Sequence, residues 1–205
     1  MRLDLGTENI VPVNTRVCTS VLNGESVLRV EKDGMQDIFD TNTYVLLKDI
    51  KMHNGTIRVK MLSRLLPDAP DFARGFIGIV FRVNDTGSEF ESYYVRPTNG
   101  RHPDPVRRSH GSQYFSYPGY TFDYFRKHGI TEYEAPCDTG LDEWTDLKAV
   151  IEDGYAEFYV NDMDTPVLCV KDLKHGKDAA GGIGLYVDTG TEAFYKDLEV
   201  ESADL

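Results

Sequence analysis

The stretch Arg96 to Tyr120, RPTNGRHPDPVRRSHGSQYFSYPGY, holds four arginines, two histidines and four aromatic side chains. A guanidinium presents a planar fork that grips a carboxylate or phosphate through two hydrogen bonds, and an aromatic face stacks on the apolar side of a sugar ring. Together these groups suit an acidic saccharide or a sugar phosphate. His102 and His110 add hydrogen bonds and, near neutral pH, proton transfer. Arg96, Asn99 and Arg101 leave the end of a strand, where a loop root holds functional groups rigidly. Arg107, Arg108, His110 and Gln113 follow two prolines that stiffen the path, and Tyr114 begins the aromatic run. Arg82 is expected on the solvent face of the neighbouring strand, converging with Arg96, and Tyr94 shares that face by alternation. The expected ligand contacts are thus Arg82, Tyr94, Arg96, Asn99, Arg101, Arg107, Arg108, Gln113 and Tyr114. The competing role for the arginines is to pin a long loop onto an acidic body.

Catalysis would need more. Glycoside hydrolysis uses two carboxyl groups roughly 5–10 Å apart across the scissile bond, one protonated and one ionised. Glu91, Asp123, Glu132, Glu134 and Asp142 are available near the segment, and Glu91 and His110 are the catalytic candidates singled out. A lyase using His or Tyr as base, with arginine neutralising a uronate, fits the same residues. No Gly-x-Ser-x-Gly, phosphate loop or metal-ligand spacing occurs. No cofactor and no catalytic metal are expected; a structural calcium is the one ion considered, and Asp162-Met163-Asp164 lacks the full spacing of a helix-flanked calcium loop.

Nearly every periodic segment has the two-residue period of a strand, with Gly, Asn or Asp between segments. Eleven strands are expected, near Arg16 to Leu22, Ser26 to Glu31, Thr43 to Ile50, Thr56 to Ser63, Phe76 to Val83, Phe90 to Arg96, Thr145 to Glu152, Tyr155 to Asn161, Val167 to Val170, Ile183 to Val187 and Ala193 to Val200. Asn54-Gly55 and Asp153-Gly154 read as hairpin turns, and three Asp-Thr-Gly tripeptides, at Asp85, Asp138 and Asp188, read as plain turns. Leu147, Ala149, Ile151, Ala156, Phe158 and Val160 should face the core. So should Ile77, Ile79 and Phe81, placing Gly78 and Arg82 on a surface that something approaches. From about 97 to 131 no strand pattern is legible, although YTFDYFRKHG reads as a short helix ending at Gly129. Such a long connection is usually functional or disordered. Its seven aromatics between Gln113 and Phe125 argue against disorder.

The 205 residues carry 34 acidic and 22 basic side chains, a net charge of -12. That balance repels polyanions, so nucleic acid is not an expected partner. The balance reverses locally: Arg96 to Lys127 carries +4 and the remainder -16. No run of apolar residues is long enough for a membrane span, and the first residues lack the pattern of a secretory signal. Cys18, Cys137 and Cys169 fit neither a disulfide framework nor a zinc site, which points to a reduced, cytoplasmic setting.

In the last third, Trp144 precedes LKAV, a Gly154 turn, AEFYVND, PVLCVKDL and GGIGLYVDTGTEAFYKDLEV. This order resembles the closing strands of concanavalin A-like lectin/glucanase sandwiches, above all laminin-G-like modules and 3-keto-disaccharide hydrolase-type domains. GFIGIVFRVND and FESYYVRPTNGR extend the resemblance to most of the chain. The resemblance implies an all-β, two-sheet antiparallel jelly-roll sandwich, read here as one domain over residues 1–205 with a long insertion at about 97–131 that carries a short helix. It also implies saccharide binding on a concave sheet face. The Glu-x-Asp-x-x-Glu motif of laminarinase-type relatives is missing, which argues against an endoglucanase. Three readings stay open: a saccharide-binding, lectin-like domain for an anionic or small sugar, a glycoside hydrolase or lyase on the same fold, and a protein-interaction module.

Overall fold

The computed structural model describes residues 1–34 and 37–203. The chain passes through strands β1 (Ile10–Val13), β2 (Thr15–Leu22), β3 (Glu25–Lys32), β4 (Tyr44–Met52), β5 (Gly55–Leu65), β6 (Ile77–Val83) and β7 (Phe90–Val95). Two short helices, α1 (Pro97–Gly100) and α2 (Pro105–Ser109), lead to β8 (Ser112–Tyr117) and helix α3 (Phe122–His128). Then follow β9 (Glu134–Ala135), β10 (Thr145–Glu152), β11 (Tyr155–Val160), β12 (Leu168–Val170), β13 (Gly181–Val187) and β14 (Thr191–Ser202). The strands form two seven-stranded sheets, ordered β1-β4-β13-β6-β7-β8-β9 and β12-β11-β10-β5-β14-β3-β2. The fold is an antiparallel two-sheet jelly-roll sandwich, and the eleven expected strands are β2 to β7 and β10 to β14.

Alternation sets the core. Tyr93 on β7 stacks flat on Phe158 of β11 across the two sheets, ring centroids 4.2 Å apart, and Phe81 of β6 meets the same ring. Leu147, Ala149, Ile151, Ala156, Phe158 and Val160 are all buried on the inner faces, as their spacing predicts. The residues between them on β6 and β7 then point away from the partner sheet.

On that outer face the register aligns Tyr44, Tyr186, Gly78, Tyr94, Gln113 and Glu134 in one row across six strands. Gly78 is the gap that lets Tyr186 and Tyr94 stack, centroids 5.5 Å apart. A Cβ at Gly78 would lie 2.1 Å from the Tyr93 carbonyl oxygen and 2.8 Å from the Tyr94 Cβ. What approaches this glycine is therefore the protein's own backbone and a tyrosine, not an outside molecule.

The interval from 97 to 131 departs from its reading as a connection. It supplies β8, a strand paired on both edges. Gln113 and Phe115 pack on one face and Tyr114 and Ser116 on the other, all buried, so no polar and apolar alternation betrays it. The helix expected at YTFDYFRKHG is α3, and Gly129 ends it in the left-handed region at φ 64, its N–H donating to the carbonyls of Phe125 and Arg126. No atom of the described residues lies within 4 Å of a Cβ built there. Gly129→Ala is therefore expected to destabilise through the backbone alone, by about 1 kcal/mol, seen in thermal melts as a drop of about 2–4 °C.

Candidate functional site

A cavity of about 480 Å³ opens beside the outer-face row, where loops gather over the ends of β6, β7 and β13. Its apolar walls are Phe39, Phe72, Phe76, Tyr94 and Phe122, and its polar lining includes Asp40, Asp188, Asn99, His110 and four arginines. Phe39 and Phe72 meet edge to face at 5.1 Å, and Phe72 is 40% exposed at the mouth.

The acidic side is built on Asp188, immediately after β13. Its Oδ1 accepts from Lys32 Nζ at 2.6 Å and from the Thr189 backbone N–H at 2.7 Å, while Oδ2 accepts from the Tyr186 hydroxyl at 2.7 Å and the Asp40 N–H at 3.0 Å. Lys32 and Asp188 form a buried ion pair, with side chains 1% and 2% exposed. Lys32 also reaches the Ile38 carbonyl and Thr189 Oγ1, tying the segment before β4 to the turn after β13. Asp40 accepts at Oδ2 from the Phe122 N–H at 2.5 Å, which anchors the start of α3. Burial, and then the Asp188 charge beside it, push the Asp40 carboxyl up to about 7.

The basic side starts from Arg96. Its guanidinium donates to Glu134 Oε1 at 2.7 Å, to the Tyr94 hydroxyl at 3.0 Å, to the His110 carbonyl at 3.1 Å and to Gln113 Oε1. Burial opposes its charge, but the Tyr94 hydroxyl and the Glu134 carboxylate outweigh that and raise its pKa. His110 Nδ1 bonds Glu134 Oε2 at 2.9 Å. Arg96 and Arg126 both lie over the Phe122 ring, at 5.5 and 4.9 Å, so the helix and the row are clamped by cation–π contacts. Tyr94 donates its hydroxyl to Gln113 Oε1 at 3.0 Å, while Gln113 Nε2 is buried with no hydrogen-bond partner among the described residues.

The remaining two arginines, Arg74 and Arg107, come from the loop before β6 and from helix α2. Arg107 on α2 donates to Asn99 Oδ1 at 2.8 Å and Thr98 Oγ1 at 3.1 Å, and contacts His102 Nε2 at 3.2 Å. Arg74, just before β6, donates to the carbonyls of Asp71 and Ala73 at 2.7 and 2.9 Å. Burial, then the charges of Arg107 and Arg96, lower the Arg74 pKa.

Of the residues singled out from the sequence, Tyr94, Arg96, Asn99, Arg107 and His110 line this cavity. Gln113 lies in the row beneath. Arg82 does not converge with Arg96. Two residues of β6, Phe81 and Arg82, stand opposite the single Ile183 where the register shifts, and Arg82 takes φ 53 at this bulge. The turn swings its side chain to the inner face, where it meets Glu91 at 3.3 Å and the carbonyls of Gly176 and Asp153. Glu91 is fully buried there, accepting also from the Tyr114 hydroxyl at 2.5 Å and the His175 N–H at 3.3 Å. Glu91 and His110 are thus on opposite faces of the sheet and form no pair. Tyr114 faces inward with Glu91 because it stands opposite Tyr93 in the register. Arg101 pairs with Asp138 and Glu143 at the surface, and Arg108 caps the His102 carbonyl. Both lie outside the cavity.

Sequence reasoning did not find Arg74, Asp40, Asp188 or the phenylalanines. Asp188 was hidden in an Asp-Thr-Gly that is also a turn, since the Thr191 N–H bonds the Asp188 carbonyl at 3.2 Å. Among the described residues no three His, Cys, Asp or Glu side chains come together in a way that could hold a metal ion. Asp162 instead accepts from the N–H groups of Asp164 and Thr165 in a local turn. No helix among the described residues is long and apolar enough to cross a membrane.

The sequence matches no family model and no curated protein. Solved structures match by shape. The carbohydrate binding module CBM66 from Bacillus subtilis superposes with a TM-score of 0.65 over 95% of this chain and 96% of its own, at 14% identity. A Bacillus subtilis protein of unknown function with a galectin-like fold gives a TM-score of 0.55 over 98% of each chain, at 12% identity. At such identities the likeness is one of fold alone: the antiparallel two-sheet jelly-roll sandwich that the strand order of the last third implied.

Proposed function

We propose that the chain is a saccharide-binding domain and that the cavity beside the outer-face row is its binding site. The observation that carries this reading is the cavity's lining: aromatic faces for the apolar side of a sugar ring, set against polar groups pinned by their own hydrogen bonds. Pinned groups lose little freedom on binding, so their hydrogen bonds with sugar hydroxyls are not offset by ordering. The similarity in shape to a carbohydrate binding module supports the scaffold alone.

Two of the carboxyl groups at the site are committed to structure rather than to hydrolysis. A glycosidase needs one carboxyl as acid and a second as nucleophile or base. Asp188 has its oxygens occupied by Lys32, Thr189, Tyr186 and Asp40, and Glu134 is engaged by Arg96 and His110. That leaves Asp40 inside the cavity and Asp37 at its exposed rim.

The test is a glycan array followed by titration calorimetry on the glycans retained, with Phe72→Ala as the probe of the mouth. Its ring is exposed, so the substitution should leave the melting temperature within about 2 °C while weakening binding roughly tenfold. Incubation with the bound glycan should release no reducing sugar. Unchanged affinity in Phe72→Ala would remove this cavity from the reading, and steady release of sugar would replace binding with catalysis.

A further inference from the structure

The cavity's arginines are not equivalent. Arg96 is neutralised by Glu134 at 2.7 Å, and Arg126 lies 3.9 Å from the same carboxylate with its side chain half in solvent. Arg74 and Arg107 have no carboxylate within 4 Å among the described residues; every acceptor they use is neutral. This happens in a chain with 34 acidic side chains against 22 basic ones, where arginines elsewhere on the sandwich readily find Asp or Glu. Two partly buried cations without a carboxylate partner line one cavity, close enough that the Arg107 charge bears on Arg74, and like charges so placed repel until an anion enters.

The geometry holds both forks ready. Asn99, Thr98 and His102 fix the plane of Arg107, and Asn99 is itself held by its Nδ2 donating to the His110 carbonyl at 2.9 Å. Arg74 spends Nη1 on two loop carbonyls, while its Nε and Nη2 donate to no described residue. One edge of that guanidinium is therefore open. The same cavity carries Asp40 and Asp188, and Asp188 is neutralised by Lys32, so neither Arg74 nor Arg107 is paired by the cavity's own carboxyl groups.

We propose that Arg74 and Arg107 form the seat for an oxyanion carried by the bound sugar, either the carboxylate of a uronic acid or a sulfate ester. Such a group accepts two parallel N–H bonds from a guanidinium fork, which a hydroxyl cannot. The inference rests on the saccharide reading only for what carries the anion.

The experiment has two parts, both on the full chain and on Arg74→Gln, Arg107→Gln and, as a control outside the cavity, Arg108→Gln. In the first, sodium glucuronate replaces sodium chloride at constant ionic strength and thermal melts are recorded. The wild type and Arg108→Gln should gain melting temperature, and the two cavity variants should not. In the second, an array of neutral, uronate-bearing and sulfated oligosaccharides is probed. The wild type should retain acidic glycans, with affinity reduced roughly ten- to hundredfold by either cavity substitution. Retention of uronates or of sulfated sugars identifies the source of the charge, and either result supports the seat.

Arg74→Gln removes only two hydrogen bonds to loop carbonyls, those of Asp71 and Ala73, so it keeps the test valid should Arg107→Gln loosen α2. Binding confined to neutral glycans, or acidic binding that both variants keep, overturns the seat and leaves the saccharide reading intact. A glucuronate-dependent gain lost in the variants, with no glycan retained, upholds the seat and overturns the saccharide reading. No response to either probe overturns both.

Discussion

Asp40→Asn is expected to raise the melting temperature at pH 8 by roughly 10 °C and to leave it nearly unchanged at pH 4. The reason is the carboxyl's position, buried beside Asp188, which pushes it up to about 7 from an ordinary 3.8. Three groups oppose that rise: the Phe122 N–H at Oδ2, the Arg96 charge and the Tyr94 hydroxyl. Lys32 is committed to Asp188. Because the folded state holds this proton more tightly than the unfolded chain does, folding takes up a proton between about pH 4 and pH 7, and stability falls as pH rises through that window. Three pKa units correspond to about 4 kcal/mol, present in full below pH 4 and gone above pH 7. Asparagine stays neutral throughout. Its carbonyl can still accept from Phe122 and its amide can donate to the Tyr94 hydroxyl oxygen, so the variant should resemble the protonated wild type at every pH. Melts from pH 4 to pH 8, read as the difference between variant and wild type, check this; a difference that does not grow with pH would mean that Asp40 is not the titrating group. The same ionisation adds negative charge to the cavity that Arg74 and Arg107 line, so the proposed affinity for an acidic sugar should fall from pH 6 to pH 8 in the wild type and stay flat in Asp40→Asn.

The sandwich itself was legible because most strands have one wet face or one turn glycine to mark them. Leu147, Ala149 and Ile151 announce a core side, and the Asp153-Gly154 turn announces a hairpin. The strands that escaped notice lack those marks. β8 is covered on both faces, β9 has two residues, and β1 is four residues long with a proline. The site was legible only where it follows the chain. Tyr94, Arg96, Asn99, Arg107 and His110 belong to one run of sequence and enter one cavity together. Arg74, Asp40 and Asp188 come from three separate loops that meet only after the sheets have formed, and no local pattern joins them. Arg82 failed for a different reason. Strict alternation aims it outward, and a single bulged residue with a left-handed backbone reverses it. Glu91, by contrast, obeyed alternation: with Phe90, Ser92 and Tyr94 outward, it had to point inward, where only a buried partner such as Arg82 makes its charge tolerable.

Lys32→Met is expected to cost about 3–5 kcal/mol, enough to lower the melting temperature by roughly 10 °C. The ammonium lies at the centre of the acidic wall, 2.6 Å from Asp188 and 1% exposed, and methionine fills its stem without its charge. Asp188 would then be a buried carboxylate beside a second one, Asp40, with only neutral donors left to hold it. Removing one member of a buried pair leaves the other's desolvation uncompensated, whereas replacing both is far milder. The double variant Lys32→Met with Asp188→Asn should therefore recover more than half of the lost stability, since the asparagine can still accept from Tyr186 and from the Asp40 N–H. Losses that simply add in the double variant would show that Lys32 stabilises through packing and through its bond to the Ile38 carbonyl rather than through the charge pair. The recovered protein separates structure from binding as well. The two substitutions remove one positive and one negative charge and leave Asp40 in place, so the proposed affinity for a uronate at pH 8 should match that of the wild type once the fold is restored.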